Sequence, residues 1–116
     1  WIVWYKGQQD LTMSDCELAY TSFDYLTRMV NIHRTHLWQE KPKHPTQKPS
    51  KLFTYCLRHA IGRDEKIKTV FDPFMGSGTT AVACQSLGLD WCGTELEPDY
   101  VAIANKRLSQ VQGSLF

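Results

Sequence analysis

Val70-Phe71-Asp72-Pro73-Phe74-Met75-Gly76-Ser77-Gly78-Thr79-Thr80 is the stretch on which the reading of this chain turns. An apolar run ends in an acid, a proline starts a turn, two glycines follow one residue apart, and hydroxyl residues come next. A strand that passes through a ligand-binding turn into a helix has this form, and in an open parallel sheet such turns lie beyond the carboxyl ends of the strands, where ligands sit. Gly76 and Gly78 let the main chain approach a ligand where a Cβ would collide with it. Ser77, Thr79 and Thr80 open the helix with exposed N–H groups, a favourable place for a carboxylate. Asp72 has the opposite sign, and suits either a ligand ammonium or a structural bond to the turn. A turn that only joins strand to helix is the plain alternative.

Two other glycine loops fit less well. A phosphate-binding P-loop needs Gly-Lys followed by Ser or Thr, and no Lys follows Gly78. The dinucleotide fingerprint GxGxxG has Ala81 at its third glycine, a permitted variant, but Asp72 before the turn is a poor neighbour for a pyrophosphate.

Downstream, a helix is expected from Thr79 to Leu87, ending near Gly88, and a strand from Asp90 to Glu95. A last helix opens at Pro98, with Tyr100, Ile103, Ala104, Leu108 and Val111 on one side before Gly113. Glu95 falls about twenty residues after the glycines, where nucleoside-binding sheets place a carboxylate on ribose hydroxyls. A carboxylate accepts from both hydroxyls at once. Glu97 reads as a solvated acid beside the helix N-terminus.

Upstream, Lys68 to Asp72 reads as a strand. Leu52, Phe53, Cys56, Leu57, Ala60 and Ile61 recur at helical spacing between Pro49 and Gly62. Glu40 to Gln47, with Pro42 and Pro45, must be irregular. Arg28 to Trp38 alternates loosely and suggests one or two strands. The turn-rich segment from Gln8 to Asp24 suggests a short helix around Ser14 to Ala19. Trp1 to Tyr5 reads as a buried strand ended by Lys6-Gly7, with Trp1, Trp4 and Trp91 as core residues. Strand, glycine-rich turn, helix, strand, helix is the first part of a doubly wound α/β parallel sheet.

With 116 residues, 42% of them hydrophobic, the chain fits a single domain spanning residues 1–116. Cys16, Cys56, Cys84 and Cys92 form no CxxC pair, which disfavours a disulfide framework or a zinc site and suits a reducing cytoplasm. No apolar run reaches the ~20 residues of a membrane span, and no signal peptide opens the chain. The first residue, Trp1, stands inside an apolar run, so the sequence reads as starting partway through a larger protein.

The net charge of +1 conceals a basic middle: Arg28, Arg34, Lys41, Lys43, Lys48, Lys51, Arg58, Arg63, Lys66 and Lys68 face only Glu40, Asp64 and Glu65. Such a segment can follow a phosphate backbone, or be a solvated face with a Lys-rich loop. Arg34, Lys41 and Lys43 are the candidate nucleic-acid contacts, with Trp38 as the aromatic beside them. His33 and His36 form a metal pair only if helical, and their segment reads as strand; no metal site is expected.

Asp72 to Thr80, then Gly93-Thr94-Glu95, Tyr100, Ala104 and Arg107-Leu108, resembles the cofactor-binding end of DNA methyltransferases that modify the exocyclic amine of adenine or cytosine. His44-Pro45-Thr46-Gln47-Lys48-Pro49 followed by Leu52 is similar to the motif those enzymes carry before the cofactor strand. Trp4-Tyr5-Lys6 and Ser14 to Ala19 resemble the middle segment of phage-type members. The resemblance implies a partial doubly wound, Rossmann-like methyltransferase sheet that binds S-adenosylmethionine. It implies that Thr46 and Lys48 contact the methionine carboxylate, that Phe74, Gly76 and Ser77 line the methionine end, and that Glu95 holds the ribose. Asp72, Gly78 and Thr79 complete the expected cofactor-binding set.

In the family's permuted order the catalytic tetrad, Asp, Ser or Asn followed by Pro-Pro and an aromatic, precedes this segment, and it does not occur in this sequence. The expectation is therefore the C-terminal, cofactor-binding part of a bacterial or phage enzyme acting on DNA, with adenine favoured by the phage-type resemblance. By itself it should be inactive, as either a truncated fragment or one piece of a split enzyme completed by a complementary catalytic chain, and strand edges left exposed by the absent part would favour self-association. The alternatives are a non-catalytic module that binds cofactor or DNA, and a nicotinamide oxidoreductase fragment, the latter disfavoured by Asp72-Pro73 and the proline loop.

Overall fold

The computed structural model describes residues 1–7, 12–33, 35–40 and 47–113. The chain divides into two compact units, Trp1–Lys41 and Pro42–Phe116.

In the first unit, β1 (Ile2–Tyr5) is the middle strand of three. On one side it pairs antiparallel with β2 (Cys16–Ala19), on the other parallel with β3 (Arg28–Asn31). Ile2 and Trp4 are buried, and the Trp4 indole N–H donates to the Ile32 carbonyl at 2.8 Å. Lys6 is also buried; its ammonium pairs with Glu17 at 2.9 Å and lies 5.6 Å from the centre of the Trp4 ring.

Three sequence expectations fail in this unit. The helix around Ser14 to Ala19 is the strand β2, because pairing with β1 gives its backbone groups partners that an isolated single turn would lack. Trp1 is 52% exposed rather than core, with its ring edge-on to Tyr20. The strand expected up to Trp38 stops at Asn31, and Thr35–Gln39 forms the short helix α1. His33 sets up that change of direction: its ring Nδ1 accepts from the Thr35 N–H at 3.2 Å and lies 2.8 Å from the Thr35 hydroxyl. It thereby takes the place of an N-capping side chain. Most of the irregular segment expected from Glu40 to Gln47 lies outside the described residues.

The second unit follows the sequence reading closely. Pro49 stands immediately before α2 (Ser50–Ile61), and Gly62 follows it, its N–H bonded back to the Arg58 carbonyl at 3.0 Å. β4 (Thr69–Asp72) leads through the glycine turn into α3 (Thr79–Leu87), then β5 (Asp90–Gly93) and α4 (Pro98–Gly113). β4 and β5 are parallel, with Thr69 opposite Asp90 and Asp72 opposite Gly93. The expected third strand is thus two residues shorter than Asp90 to Glu95. Joining two parallel strands requires a crossover, and α3 provides it.

α3 is deeply enclosed. Thr79, Thr80, Ala81, Ala83 and Cys84 are buried, and the helix neighbours α2, α4 and β5. Its small side chains allow that close approach. Met75, Ala81 and Leu108 form the core cluster, with Val82 and Trp91 packed against it. The four cysteines are free thiols; Cys84 is buried, whereas Cys92, on the β5 strand, is exposed. No described helix is long and apolar enough to cross a membrane.

Candidate functional site

Beyond the ends of β4 and β5 the two segments remain joined. The Thr94 N–H donates to the Asp72 carbonyl at 3.1 Å, the Met75 N–H to the Thr94 carbonyl at 2.9 Å, and the Thr94 hydroxyl to the Pro73 carbonyl at 2.7 Å. These bonds carry Glu95 to the glycine turn. One carboxylate oxygen accepts from the Gly76 N–H at 2.8 Å and the other from the Glu97 N–H at 2.9 Å. A carboxylate is an acceptor with about four lone-pair sites, a suitable partner for a ligand's hydroxyls.

Asp72 holds the near side of the turn. Its carboxylate accepts from the Phe74 N–H at 2.9 Å and from the Thr80 hydroxyl. Of the two roles open at the sequence level, the structural bond is the one this geometry makes. The charge is felt deeper in: the Cys84 thiol is pushed up in pKa by burial first and by Asp72 second, which keeps it protonated at neutral pH.

Close packing fixes the turn at two glycines. Gly78 has φ +81°, and a Cβ there would stand 2.8 Å from the Ala104 Cβ on α4. Gly93 admits the Met75 side chain; an added Cβ would meet the Met75 Cε at 2.1 Å and the Asp72 carbonyl at 2.8 Å. From α4, the Arg107 Nη1 donates to the Ser77 carbonyl at 2.7 Å, the Ser77 hydroxyl at 3.1 Å and the Thr79 hydroxyl at 3.1 Å. The Ser77 hydroxyl bonds the Gln47 side-chain oxygen at 3.0 Å.

The result is a cavity of about 320 Å³ lined by Gln47, Lys48, Phe53, Asp72, Phe74, Met75, Gly76, Ser77, Thr79, Thr80 and Glu95. That volume lies in the range of small-molecule sites. The first intrahelical bond of α3 runs from the Val82 N–H to the Gly78 carbonyl, so the preceding N–H groups add their partial positive charge to the cavity end of the helix. Phe74 is 87% exposed, an unusual place for a large apolar ring.

Of the expected cofactor-binding residues, Lys48, Asp72, Phe74, Gly76, Ser77, Thr79 and Glu95 line this one cavity, and Gly78 shapes the turn behind it. Thr46 lies outside the described residues, as do Arg34, Lys41 and Lys43; Trp38 falls in α1, with its side chain undescribed. Among the described residues no group of three or more His, Cys, Asp or Glu stands ready to hold a metal. Sequence reasoning gave Arg107 no role. Its partners are 28 to 30 residues away, and no local pattern announces a contact of that range. Gln47 and Met75 were also missed as lining residues, though both stand inside the two quoted motifs.

A glycine turn between parallel strands, a strand-end acid bonded to it and a cavity lined by both define an α/β protein with a ligand-sized cavity beyond the carboxyl ends of its strands. The DNA methylase family profile matches residues 2–106, and the chain belongs to that family. It is 44% identical over 69 residues to the Type II methyltransferase M2.LlaDCHI of Lactococcus lactis subsp. cremoris, a match covering 59% of this chain and 24% of that protein. It is 35% identical over 108 residues to the Type II methyltransferase M.HinfI of Haemophilus influenzae, covering 93% of this chain and 28% of the relative. The chain thus spans about a quarter of these curated relatives. Among solved structures, the M1.HpyAVI–SAM complex superposes with a TM-score of 0.60 at 28% identity, covering 91% of this chain and 59% of that one. The fold is accordingly a partial Rossmann-like methyltransferase fold.

Proposed function

We propose that this chain is the cofactor-binding portion of a DNA methyltransferase that methylates the exocyclic amine of adenine or cytosine, and that the 116 residues alone do not turn over. The observation that carries the reading is the single cavity that joins Lys48 and the N-terminal turn of α3 to Glu95. A cation and helix N–H groups suit a carboxylate, and an anchored carboxylate suits a ribose diol. S-adenosylmethionine carries both groups, and its sulfonium supplies the methyl. In this reading Lys48 and Thr46 hold the methionine carboxylate, the Gly76 to Thr79 turn receives the amino-acid end beside Phe74, and Glu95 holds the ribose. Asp72 acts by keeping the turn in shape.

Adenine is favoured over cytosine by the likeness of Trp4-Tyr5-Lys6 and Ser14 to Ala19 to phage-type enzymes. DNA is the macromolecular partner, with Arg34, Lys41 and Lys43 neutralising phosphates and Trp38 offering a ring for stacking. The tetrad that would hold a flipped base is not in this sequence, and in this reading it comes from outside these residues, from the rest of a longer enzyme or from a complementary chain. β4 and β5 each pair with one strand among the described residues, and an open strand edge is a template for such a partner. The setting is the cytoplasm of a bacterial or phage-infected cell.

Incubating the chain with methyl-labelled S-adenosylmethionine and mixed-sequence DNA tests the reading. No transfer above background is expected, together with cofactor binding that NAD does not displace. Robust transfer by this chain alone would contradict the inactive-portion reading, and displacement by NAD would contradict the assignment of the cavity to S-adenosylmethionine.

A further inference from the structure

We infer that Arg107 is a positioning residue for the ligand: by donating to the Thr79 hydroxyl it commits that hydroxyl to donate into the cavity. The inference rests on the cofactor-site reading above and deepens it, because it assigns which ligand group α3 receives.

The argument is one of hydrogen-bond inventory. A threonine hydroxyl has one proton to give and two lone pairs to fill, whereas a guanidinium only donates. The Arg107 Nη1 lies 3.1 Å from the Thr79 Oγ1, so Thr79 is the acceptor in that pair and keeps its own proton. Thr79 is 7% exposed, lines the cavity, and has no other side-chain bond among the described residues. A buried O–H donor left without an acceptor costs free energy, and an anionic ligand group entering the cavity supplies that acceptor. The same nitrogen donates to the Ser77 carbonyl at 2.7 Å, which ties α4 to the turn and fixes the guanidinium in place.

Lys48 lines the cavity, the N-terminus of α3 opens onto it and Arg107 stands behind Thr79, while the two acids that also line it are held by other groups, Asp72 by the Phe74 N–H and the Thr80 hydroxyl and Glu95 by the Gly76 and Glu97 N–H groups. The group received at Thr79 is therefore the carboxylate of the cofactor's amino-acid end, whereas Glu95 serves the diol. Arg107 does not line the cavity; it acts through Thr79 and the Ser77 carbonyl.

Calorimetric titration of the chain with S-adenosylmethionine and with its decarboxylated analogue separates the possibilities. For the wild type, tighter binding of the carboxylated ligand is expected. Thr79→Val and Arg107→Gln should each weaken S-adenosylmethionine roughly tenfold or more, the scale of a hydrogen bond to a charged group, while leaving the analogue within about twofold. Combining the two should add little to either, and Thr79→Ser, which keeps the hydroxyl, should bind like the wild type. Equal losses for both ligands, or losses that multiply in the double variant, would overturn the inference by making Arg107 a general brace of the fold. Because Thr79→Val leaves the α4 contact to the Ser77 carbonyl intact, the test stands even if Arg107→Gln fails to fold. Failure of the wild type to bind either ligand would instead sink the cofactor reading, and this inference with it.

Discussion

The three-stranded unit and the glycine turn are held by different kinds of bond. In the β2-β1-β3 sheet the backbone ladders do most of the joining, and the side chains split by face. Ile2 and Trp4 are buried, while Leu18 and Met29, paired across Val3, are 64% and 70% exposed. At the turn between β4 and α3, by contrast, side chains bond to backbone: Asp72 to the Phe74 N–H, Glu95 to the Gly76 N–H, Arg107 to the Ser77 carbonyl. A ladder tolerates exchange of its exposed side chains, because the bonds belong to the main chain. A turn held by named side chains and by the absence of a Cβ does not. The difference suits a cavity wall that has to present donors and acceptors in fixed directions.

That contrast breaks first at Gly78. Gly78→Val puts a β-branched residue at φ +81° and drives its Cβ toward Ala104, so left-handed strain and overpacking add. A loss of about 4 kcal/mol is expected in denaturant unfolding. A variant within 1 kcal/mol of the wild type would show that the turn and α4 are less tightly joined than the 2.8 Å approach implies.

A smaller effect is expected in the sheet, where Trp4→Phe removes the donor to the Ile32 carbonyl and part of a buried ring. The expected cost is about 2 kcal/mol. Leu18→Ser on the same sheet should stay within about 0.5 kcal/mol, as exposed substitutions usually do. Comparable losses at Trp4 and Leu18 would show that the face carrying Leu18 is covered in the folded protein.

The parts of the molecule that were legible in the sequence are those whose signals are local. The bounds of α3 and α4 follow from the glycine turn, Gly88 and Pro98, because helices are specified within a few residues of their ends. Glu95 was legible from its spacing after the glycines, although its bonds to the Gly76 and Glu97 N–H groups were not. From Ser14 to Ala19 and again from Thr35 to Trp38 the local signal was misleading, whereas the strand at Arg28 was legible. β2 exists because β1 pairs with it, and α1 starts where the His33 ring meets the Thr35 N–H. Arg107 shows the same limit inside the site, since only the packing of α4 against the turn brings its guanidinium to Ser77 and Thr79.

The central claim is that the cavity under the glycine turn is a nucleoside-cofactor site in which Glu95 holds the ribose. Calorimetric titration with S-adenosylmethionine, repeated on Glu95→Ala, tests it most directly. Saturable binding by the wild type is expected, weakened at least tenfold in the variant, as fits the loss of a charged hydrogen-bonding partner. Equal affinities for the two proteins, or no binding by the wild-type chain, would contradict it.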